Sequence, residues 1–347
     1  MMNGLQTLSY WQEYFNHPRG STLGFFNASM SLGSLIGLFI VPYMIDRLGR
    51  KMGVIIGCVI MLLAVGLQSG ARNFGMFVAA RLLLGFGDCI VLGSAPLLIA
   101  EIAHPQDRAV LVTLSGASYH SGAFISSWVT YGTLQIKSDW SWRLPSLLQS
   151  ICSVIILVGI FWMPESPRWL LSKDRHDEAL KVLTHYHAEG DVEDDFVQLE
   201  FSEIKAAIAL DKEAGQTGWT DFLKTKGNRK RIGLITALGF FSQWSGNGLI
   251  SYYLKGIMDA VGITKAETQL GINAGMKTQG LIINTAFAFF IDYFGRRPIY
   301  LTSTIGTCVI FNFWTIVSAR YEIDPNKALG YAFVALTFIY GLFYDVK

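Results

Sequence analysis

The chain has 347 residues, of which 51% are hydrophobic and only 16% are charged, with a formal net charge of +2 and a mean hydropathy of +0.37. A soluble domain of this length could not hide so much apolar surface in its core, so the composition excludes an ordinary soluble protein. The sequence therefore predicts a membrane protein.

Nine apolar runs are long enough to cross a bilayer as helices, since about 20 residues span the hydrocarbon core. The runs are continuous rather than alternating, which favours helices over the strands of a membrane barrel. We predict an all-α, polytopic membrane protein with spans near 21–45, 53–70, 74–102, 110–134, 146–163, 231–254, 271–291, 298–318 and 328–344.

A charged motif ends the first span and returns late in the chain, as DRLGRK at 46–51 and DYFGRR at 292–297. Gly49 and Gly295 permit a tight turn between two helices, where a side chain would crowd the backbone. Two interpretations stay open for the charges. They either only set the topology, or they form a network that holds an inside-facing gate closed and breaks when the gate opens.

The distribution of basic residues predicts the orientation. If both motifs are cytoplasmic, inner loops hold 17 of the 28 lysines and arginines and outer segments hold eight. The positive-inside rule therefore predicts a cytoplasmic location for both motifs and for the loop 164–230. Helical spacing and charge pairs in that loop indicate a helical linker domain.

The two motifs lie 246 residues apart, which indicates two homologous halves. Two spans precede the second motif and only one precedes the first, so by symmetry we expect a helix to be missing before Ser21. The predicted domains are an N-terminal bundle at 1–163 without its first helix, the cytoplasmic linker at 164–230, and a C-terminal bundle at 231–347 without its last helices.

Seven segments occur in one order along nearly the whole chain: DRLGRK, RLLLGFGDCIVLGSAPLLIAEIAHPQDRA, WRLPSLLQ, PESPRWLLSKDRHDEAL, QWSGNGLISYY, INTAF and DYFGRR. Together they resemble the sugar porter branch of the major facilitator superfamily, most of all fungal lactose and hexose permeases. The resemblance implies two six-helix bundles around a central sugar site, alternating access, and cytoplasmic helices between the bundles.

The resemblance also implies acidic partners for the motif's basic residues and supplies Glu101 and Glu165 in that role. The conformational charge network that it implies comprises Asp46, Arg50, Arg81, Glu101, Arg108, Glu165, Arg168, Asp292 and Arg296.

Charges inside the spans are costly unless they are paired. Arg81 and Asp88 lie seven residues apart and so on nearly the same helix face. Asp88 departs from the family pattern, and it is either a proton carrier or a carboxylate neutralised by Arg81 or by protonation. Lys277 could line a central cavity or reach the outer interface by its long stem.

A sugar needs amide and hydroxyl side chains for hydrogen bonds and aromatic surfaces for stacking. The stretch FFSQWSGNGLISYY offers such a set, and Gly246 and Gly248 would let its helix bend or break beside a ligand. The predicted substrate-binding residues are Gln243, Ser242, Asn247 and Asn284, with Tyr252 and Tyr253 as a gate.

The resemblance implies the roles of Gln243, Asn284 and the two tyrosines. Ser242 and Gly248 depart from its pattern, where a glutamine and an asparagine are usual, and Gly116 stands in the place of a glutamine or asparagine ligand.

No nucleophile triad, phosphate-binding glycine loop or nucleic-acid patch supports an enzyme or a nucleic-acid partner. We expect no metal or other cofactor, with protons as a candidate coupling ion. The expected partners are a sugar and the lipid bilayer, in the plasma membrane, and the sequence does not fix the oligomeric state.

The function that we expect is sugar transport by alternating access, as a uniporter or a proton symporter. A sugar sensor of the same fold and a non-functional transporter fragment stay open as alternatives.

Overall fold

A computed structural model describes residues 2–213, 221–324 and 326–346, without the side chains of 213, 221, 222, 288–294 and 296. These ranges are helical almost throughout and contain no strand, so the all-α prediction is confirmed. The helices are α1 (Met2–Thr7), α2 (Ser9–Tyr14), α3 (Gly20–Leu48), α4 (Arg50–Ser69), α5 (Phe74–Ile102), α6 (Arg108–Thr133), α7 (Trp140–Gly159), α8 (Pro167–Ser172), α9 (His176–His187), α10 (Asp195–Glu213), α11 (Asp221–Lys224), α12 (Lys226–Gln243), α13 (Asn247–Ala260), α14 (Ala266–Phe294), α15 (Arg296–Ile323) and α16 (Lys327–Tyr344).

Six helices in the described ranges are long and apolar enough to cross a membrane: α3, α4, α5, α7, α15 and α16. The other three predicted spans correspond to α6, to α14, and to α12 together with α13. Serine, threonine, glycine and amide residues interrupt the apolar pattern in these three regions. The nine-span prediction therefore matches nine helical regions, of which six have the apolar composition of a simple span.

Two predicted spans were wrong in their bounds. The span predicted at 146–163 is α7, which begins at Trp140 and ends at Gly159. The helix thus starts before Pro145, which lies inside it, and its first turn includes Trp142, which is fully buried. The span predicted at 231–254 is two helices rather than one, with a break between Gln243 and Asn247.

Large apolar side chains cover the outward faces of the long helices. Phe39 on α3 is 65% exposed, Ile155 on α7 is 65% exposed, and Ile235 on α12 is 69% exposed. A soluble protein rarely exposes contiguous apolar surface of this extent, whereas lipid tails cover it at no cost. The chain is therefore a multi-pass membrane protein.

The short helices α1 and α2 were not predicted. Leu5 of α1, Trp11 of α2 and Leu8 between the two helices are at most 1% exposed and form a core with Phe77 and Trp142. A repeated tripeptide could have revealed α1: Asn-Gly-Leu occurs at 3–5, within α1, and at 247–249, at the start of α13.

Glycine turns join the helices at both charged motifs, as predicted. Gly49 lies between α3 and α4 at φ 100°, and Gly295 lies between α14 and α15 at φ 74°. Other residues rarely adopt positive φ values of this kind. Each turn therefore reverses the chain without an intervening loop, and it holds the charged residues of the motif at the end of the helix pair.

The predicted linker at 164–230 contains α8, α9, α10, α11 and the first residues of α12. Leu170, Leu171 and Ala179 form its small core, against which Phe201 and Ile204 of α10 pack. This core gives the segment a hydrophobic centre of its own, apart from the membrane helices.

Candidate functional site: a broken helix between two halves

The break between α12 and α13 lies at Gly246, which adopts the left-handed conformation at φ 95°. A Cβ atom at this position would lie 2.6 Å from the ring of Phe311 on α15, so only glycine fits. The hydroxyl of Tyr340 on α16 donates a 2.7 Å hydrogen bond to the carbonyl oxygen of Ser245. The break is therefore a defined part of the structure, held by two neighbouring helices.

Three of the four predicted sugar ligands flank this break. Ser242 and Gln243 end α12, and Asn247 begins α13. Gln243 is exposed and Ser242 is half-buried. The side-chain oxygen of Asn247 accepts a 2.9 Å hydrogen bond from the hydroxyl of Ser251. Local unwinding therefore brings hydroxyl and amide groups together within about one turn of helix.

The fourth predicted ligand, Asn284, is half-buried on α14. It lies seven residues after Lys277 and therefore on the same face of the helix. The described contacts do not place Asn284 against the ligands at the break. A sugar bridging these groups stays a prediction.

The two predicted gate tyrosines lie where α13 meets the N-terminal half, which comprises α1 to α7. The hydroxyl of Tyr253 lies 3.7 Å from the Cβ position of Gly24, at the start of α3. The carbonyl oxygen of Tyr252 accepts a 3.2 Å hydrogen bond from Asn27 of α3. Two residues earlier, Asn3 of α1 donates a 2.8 Å hydrogen bond to the carbonyl oxygen of Ile250. The first half of α13 is thus held against the N-terminal half of the protein.

A second contact between the halves runs along α6 and α14. The indole of Trp128 donates a 3.1 Å hydrogen bond to the hydroxyl of Thr278. Near the predicted outer ends of these helices, Tyr131 and Glu267 are 3.5 Å apart. Together with the contacts of α13, these bonds join the two halves.

Four of the predicted network residues meet at the turn after α3. The guanidinium of Arg50 contacts both carboxylate oxygens of Glu101, at 3.0 and 3.3 Å. Glu165 accepts hydrogen bonds from the backbone amides of Arg50 at 3.0 Å and of Lys51 at 3.1 Å. Asp46 lies farther out, 3.8 Å from Arg50. Bidentate contact and charge-assisted bonds are the stronger kinds of polar interaction.

Glu165 is also a helix cap supplied from a distant part of the chain. The first amides of a helix lack partners within the helix, and a carboxylate there is favoured by the helix dipole. Gly49 makes room for this carboxylate, since a Cβ atom on Gly49 would overlap with it. The motif thus joins the start of α4 to the start of the linker.

Two network residues have partners in α10 instead. Arg108 lies 3.7 Å from Glu200, and Arg168 lies 3.8 Å from Asp211. Glu200 is in turn 2.7 Å from Nδ1 of His187, whose Nε2 lies 2.9 Å from the carbonyl oxygen of Ile102. These contacts dock the linker onto the C-terminal end of α5, and the sequence did not indicate a role for His187.

Arg81 lies apart from this cluster. Its side chain is buried on α5, 3.9 Å from the sulfur of Met30 and close enough to Tyr252 for an electrostatic interaction. Its Nε has no hydrogen-bond partner among the described residues. The side chains of Asp292 and Arg296, the remaining network residues, lie outside the described residues. The gating role of the whole network stays a prediction.

The match to known families decides the identity. A family model described as "Sugar (and other) transporter" matches residues 1–346. The chain belongs to the sugar transporter family.

Relatives of this family member include two fungal proteins. It is 29% identical over 304 residues to the high-affinity glucose transporter of Kluyveromyces lactis, a match that covers 88% of this chain and 55% of the relative. It is 30% identical over 315 residues to the MFS glucose transporter mfs1 of Aspergillus flavus, a match that covers 86% of this chain and 58% of the relative. The chain thus spans little more than half the length of these relatives.

Solved structures of the xylose transporter XylE from E. coli have the same fold. A partially occluded inward-open form matches with a TM-score of 0.78 at 21% identity, covering 99% of this chain and 77% of that one. The structure of the proton:xylose symporter XylE bound to 6-bromo-6-deoxy-D-glucose matches with a TM-score of 0.80 at 20% identity. This match covers 100% of this chain and 77% of that one. The major facilitator fold of this transporter family member is therefore established.

Proposed function

We propose that this protein carries a sugar, a hexose or a disaccharide such as lactose, across the plasma membrane by alternating access. The break at Gly246 is the observation that carries the proposal, because hydroxyl and amide side chains lie on both sides of its unwound backbone. Unwound backbone between half-helices is how many transporters build a midplane binding site. The glucose transporters among its relatives support the choice of substrate class.

The protein is a carrier rather than an enzyme in this proposal. The side chains around the break, Ser242, Gln243 and Asn247, are neutral hydrogen-bonding groups. Such groups can hold and release a polyol without changing its covalent bonds. Protons are the proposed coupling ion if transport is driven uphill, and a uniporter is the alternative.

Uptake of labelled sugar tests the proposal. The protein is produced in a yeast strain without its own sugar carriers, and entry of labelled D-glucose, D-xylose and lactose is measured with and without a protonophore. Saturable entry supports transport, and loss of accumulation with the protonophore supports proton coupling. A surface-located protein that carries none of the three sugars would contradict the proposal.

A further inference from the structure

Three ionisable side chains from three helices meet halfway along α14. They are His120 of α6, Lys277 of α14 and Asp345 at the end of α16. The Cβ position of Gly280 lies 2.7 Å from a carboxylate oxygen of Asp345 and 3.3 Å from Nδ1 of His120. Lys277 lies one turn before Gly280 on the same helix face. Glycine at 280 therefore lets the carboxylate and the imidazole reach the backbone beside the lysine.

Hydrogen bonds on both sides of this group hold the three helices together. The side-chain amide of Gln279 donates a 2.9 Å hydrogen bond to the carbonyl oxygen of Phe338 on α16. Trp128 of α6 bonds to Thr278 of α14 at 3.1 Å. Because the residues that follow Lys277 bind both neighbouring helices, the lysine and the aspartate have a defined spacing.

The two charges are close without being paired. Lys277 acts electrostatically on both Asp345 and His120. In the described part of the chain, however, neither the ammonium of Lys277 nor the carboxylate of Asp345 makes an ion pair or a hydrogen bond. All three side chains are half-buried. Ionised groups within a membrane are costly without a partner, so a ligand that satisfies both charges would be strongly favoured.

The charged group adjoins the break in the predicted sugar site. Tyr344, the residue before Asp345, interacts with the side chain of Asn247. One turn earlier on α16, Tyr340 binds the carbonyl oxygen of Ser245. On α14, Asn284 lies on the same face as Lys277. A single sugar could therefore contact the break and the charged group together.

We infer that Lys277 and Asp345 hold one hydroxyl of the sugar between them and thereby select an uncharged substrate. This inference rests on the proposed sugar transport. An ammonium only donates hydrogen bonds and a carboxylate only accepts them, whereas a hydroxyl does both. The hydroxyl oxygen accepts from Lys277 while its hydrogen is donated to Asp345. The carboxylate repels a sugar acid and the ammonium repels an amino sugar, so a neutral polyol satisfies the pair best.

Competition with deoxy sugars tests the inference. In the full chain, uptake of labelled D-glucose is measured against each monodeoxyglucose, glucuronate and glucosamine. We expect one deoxy analogue to compete roughly 10-fold or more weakly than glucose, the effect of losing hydrogen bonds to charged groups. The penalty of an analogue is the factor by which it competes more weakly than glucose. In Lys277→Met this penalty should fall below about 3-fold for the same analogue. In Asp345→Asn, glucuronate should compete better than it does in the wild type.

Lys255→Met is the matched control, because Lys255 pairs with Asp259 at 2.6 Å on α13, outside this group. It should keep the wild-type penalty. The penalty is a ratio within one protein, so it does not depend on expression level. Competition binding to detergent-solubilised protein gives the same ratio for a variant that fails to transport. If Lys277→Met keeps the wild-type penalty for every analogue, the inference is overturned. Absence of uptake by the surface-located wild type would instead contradict the proposed function.

Discussion

The hydroxyl of Tyr340 donates a 2.7 Å hydrogen bond to the carbonyl oxygen of Ser245, inside the break between α12 and α13. This carbonyl has lost its usual place in a continuous helix, and the tyrosine supplies its partner. Because α16 contributes the hydroxyl, movement of α16 and movement of the break are coupled.

The first prediction follows from this bond. Tyr340→Phe removes only the hydroxyl, so we expect the apparent affinity for sugar to fall about 5-fold, the effect of about 1 kcal/mol. Competition uptake assays measure the change. Tyr331→Phe is the control, since Tyr331 lies on the same helix and is 74% exposed. Equal affinities for the two variants would show that the bond does not shape the site.

The second prediction concerns the sugar ligands. Gln243→Ala or Asn284→Ala should weaken uptake roughly 10-fold or more, since each lost hydrogen bond to a desolvated hydroxyl costs about 1–3 kcal/mol. Surface abundance should not change. Asn312→Ala is the control, because the amide of Asn312 bonds to its own helix at the carbonyl oxygen of Cys308. Wild-type affinity in both site variants would mean that the central site lies elsewhere.

The third prediction concerns the cap on α4. Glu165→Ala removes the carboxylate that accepts from the amides of Arg50 and Lys51, which should lower the free energy of unfolding by about 1–2 kcal/mol. Glu165→Gln should retain part of this stability, because an amide oxygen still accepts. Thermal unfolding in detergent measures both. Glu193→Ala, at an exposed loop position, serves as the control, and an equal Tm for all three variants would rule out the cap.

The fourth prediction concerns the docking of the linker. His187 binds both Glu200 and the end of α5, so His187→Ala should loosen this contact and speed cleavage of the linker by trypsin. His185 lies two residues away on the same helix and is exposed, which makes His185→Ala the matched control. Cleavage at the wild-type rate in His187→Ala would show that other contacts hold the linker in place.

The fifth prediction concerns orientation. In a version whose four cysteines are replaced by serine, a cysteine at position 265 should react with an impermeant reagent from outside, and one at position 193 should not. Glu193 is an exposed loop residue. Its neighbour Asp194 is left unchanged, because its carboxylate caps α10 by accepting from the amides of Phe196 and Val197. The opposite pattern of labelling would reverse the predicted topology.

The sequence was sufficient for the six apolar helices in the described ranges, because bilayer thickness imposes a length and an apolar composition on such spans. It was also sufficient for the turns at Gly49 and Gly295, where the charged motif and the glycine occur together. The break was harder, since FFSQWSGNGLISYY is compatible with one continuous helix. Only packing against Phe311 and Tyr340 selects Gly246 as the point where the helix unwinds.

Long-range partners explain what the sequence did not predict. His187 gave no signal, because its partners Glu200 and Ile102 are brought near it only by folding. Lys277 did give a signal as a charge within a span, but nothing nearby in sequence identified Asp345 or His120 as its neighbours. Residue type thus indicated where charge would be costly, and tertiary structure was needed to show which groups surround it.

The repeated Asn-Gly-Leu tripeptide has a consequence for the history of the molecule. It starts α13 in one half and lies within α1 in the other, and Asn3 of the first copy binds the backbone of Ile250 beside the second. A duplicated ancestral gene accounts for two such copies that face each other. From Asn3 to Asp46 the chain runs 43 residues, and from Asn247 to Asp292 it runs 45. The two copies have therefore diverged by a net gain or loss of two residues in this stretch.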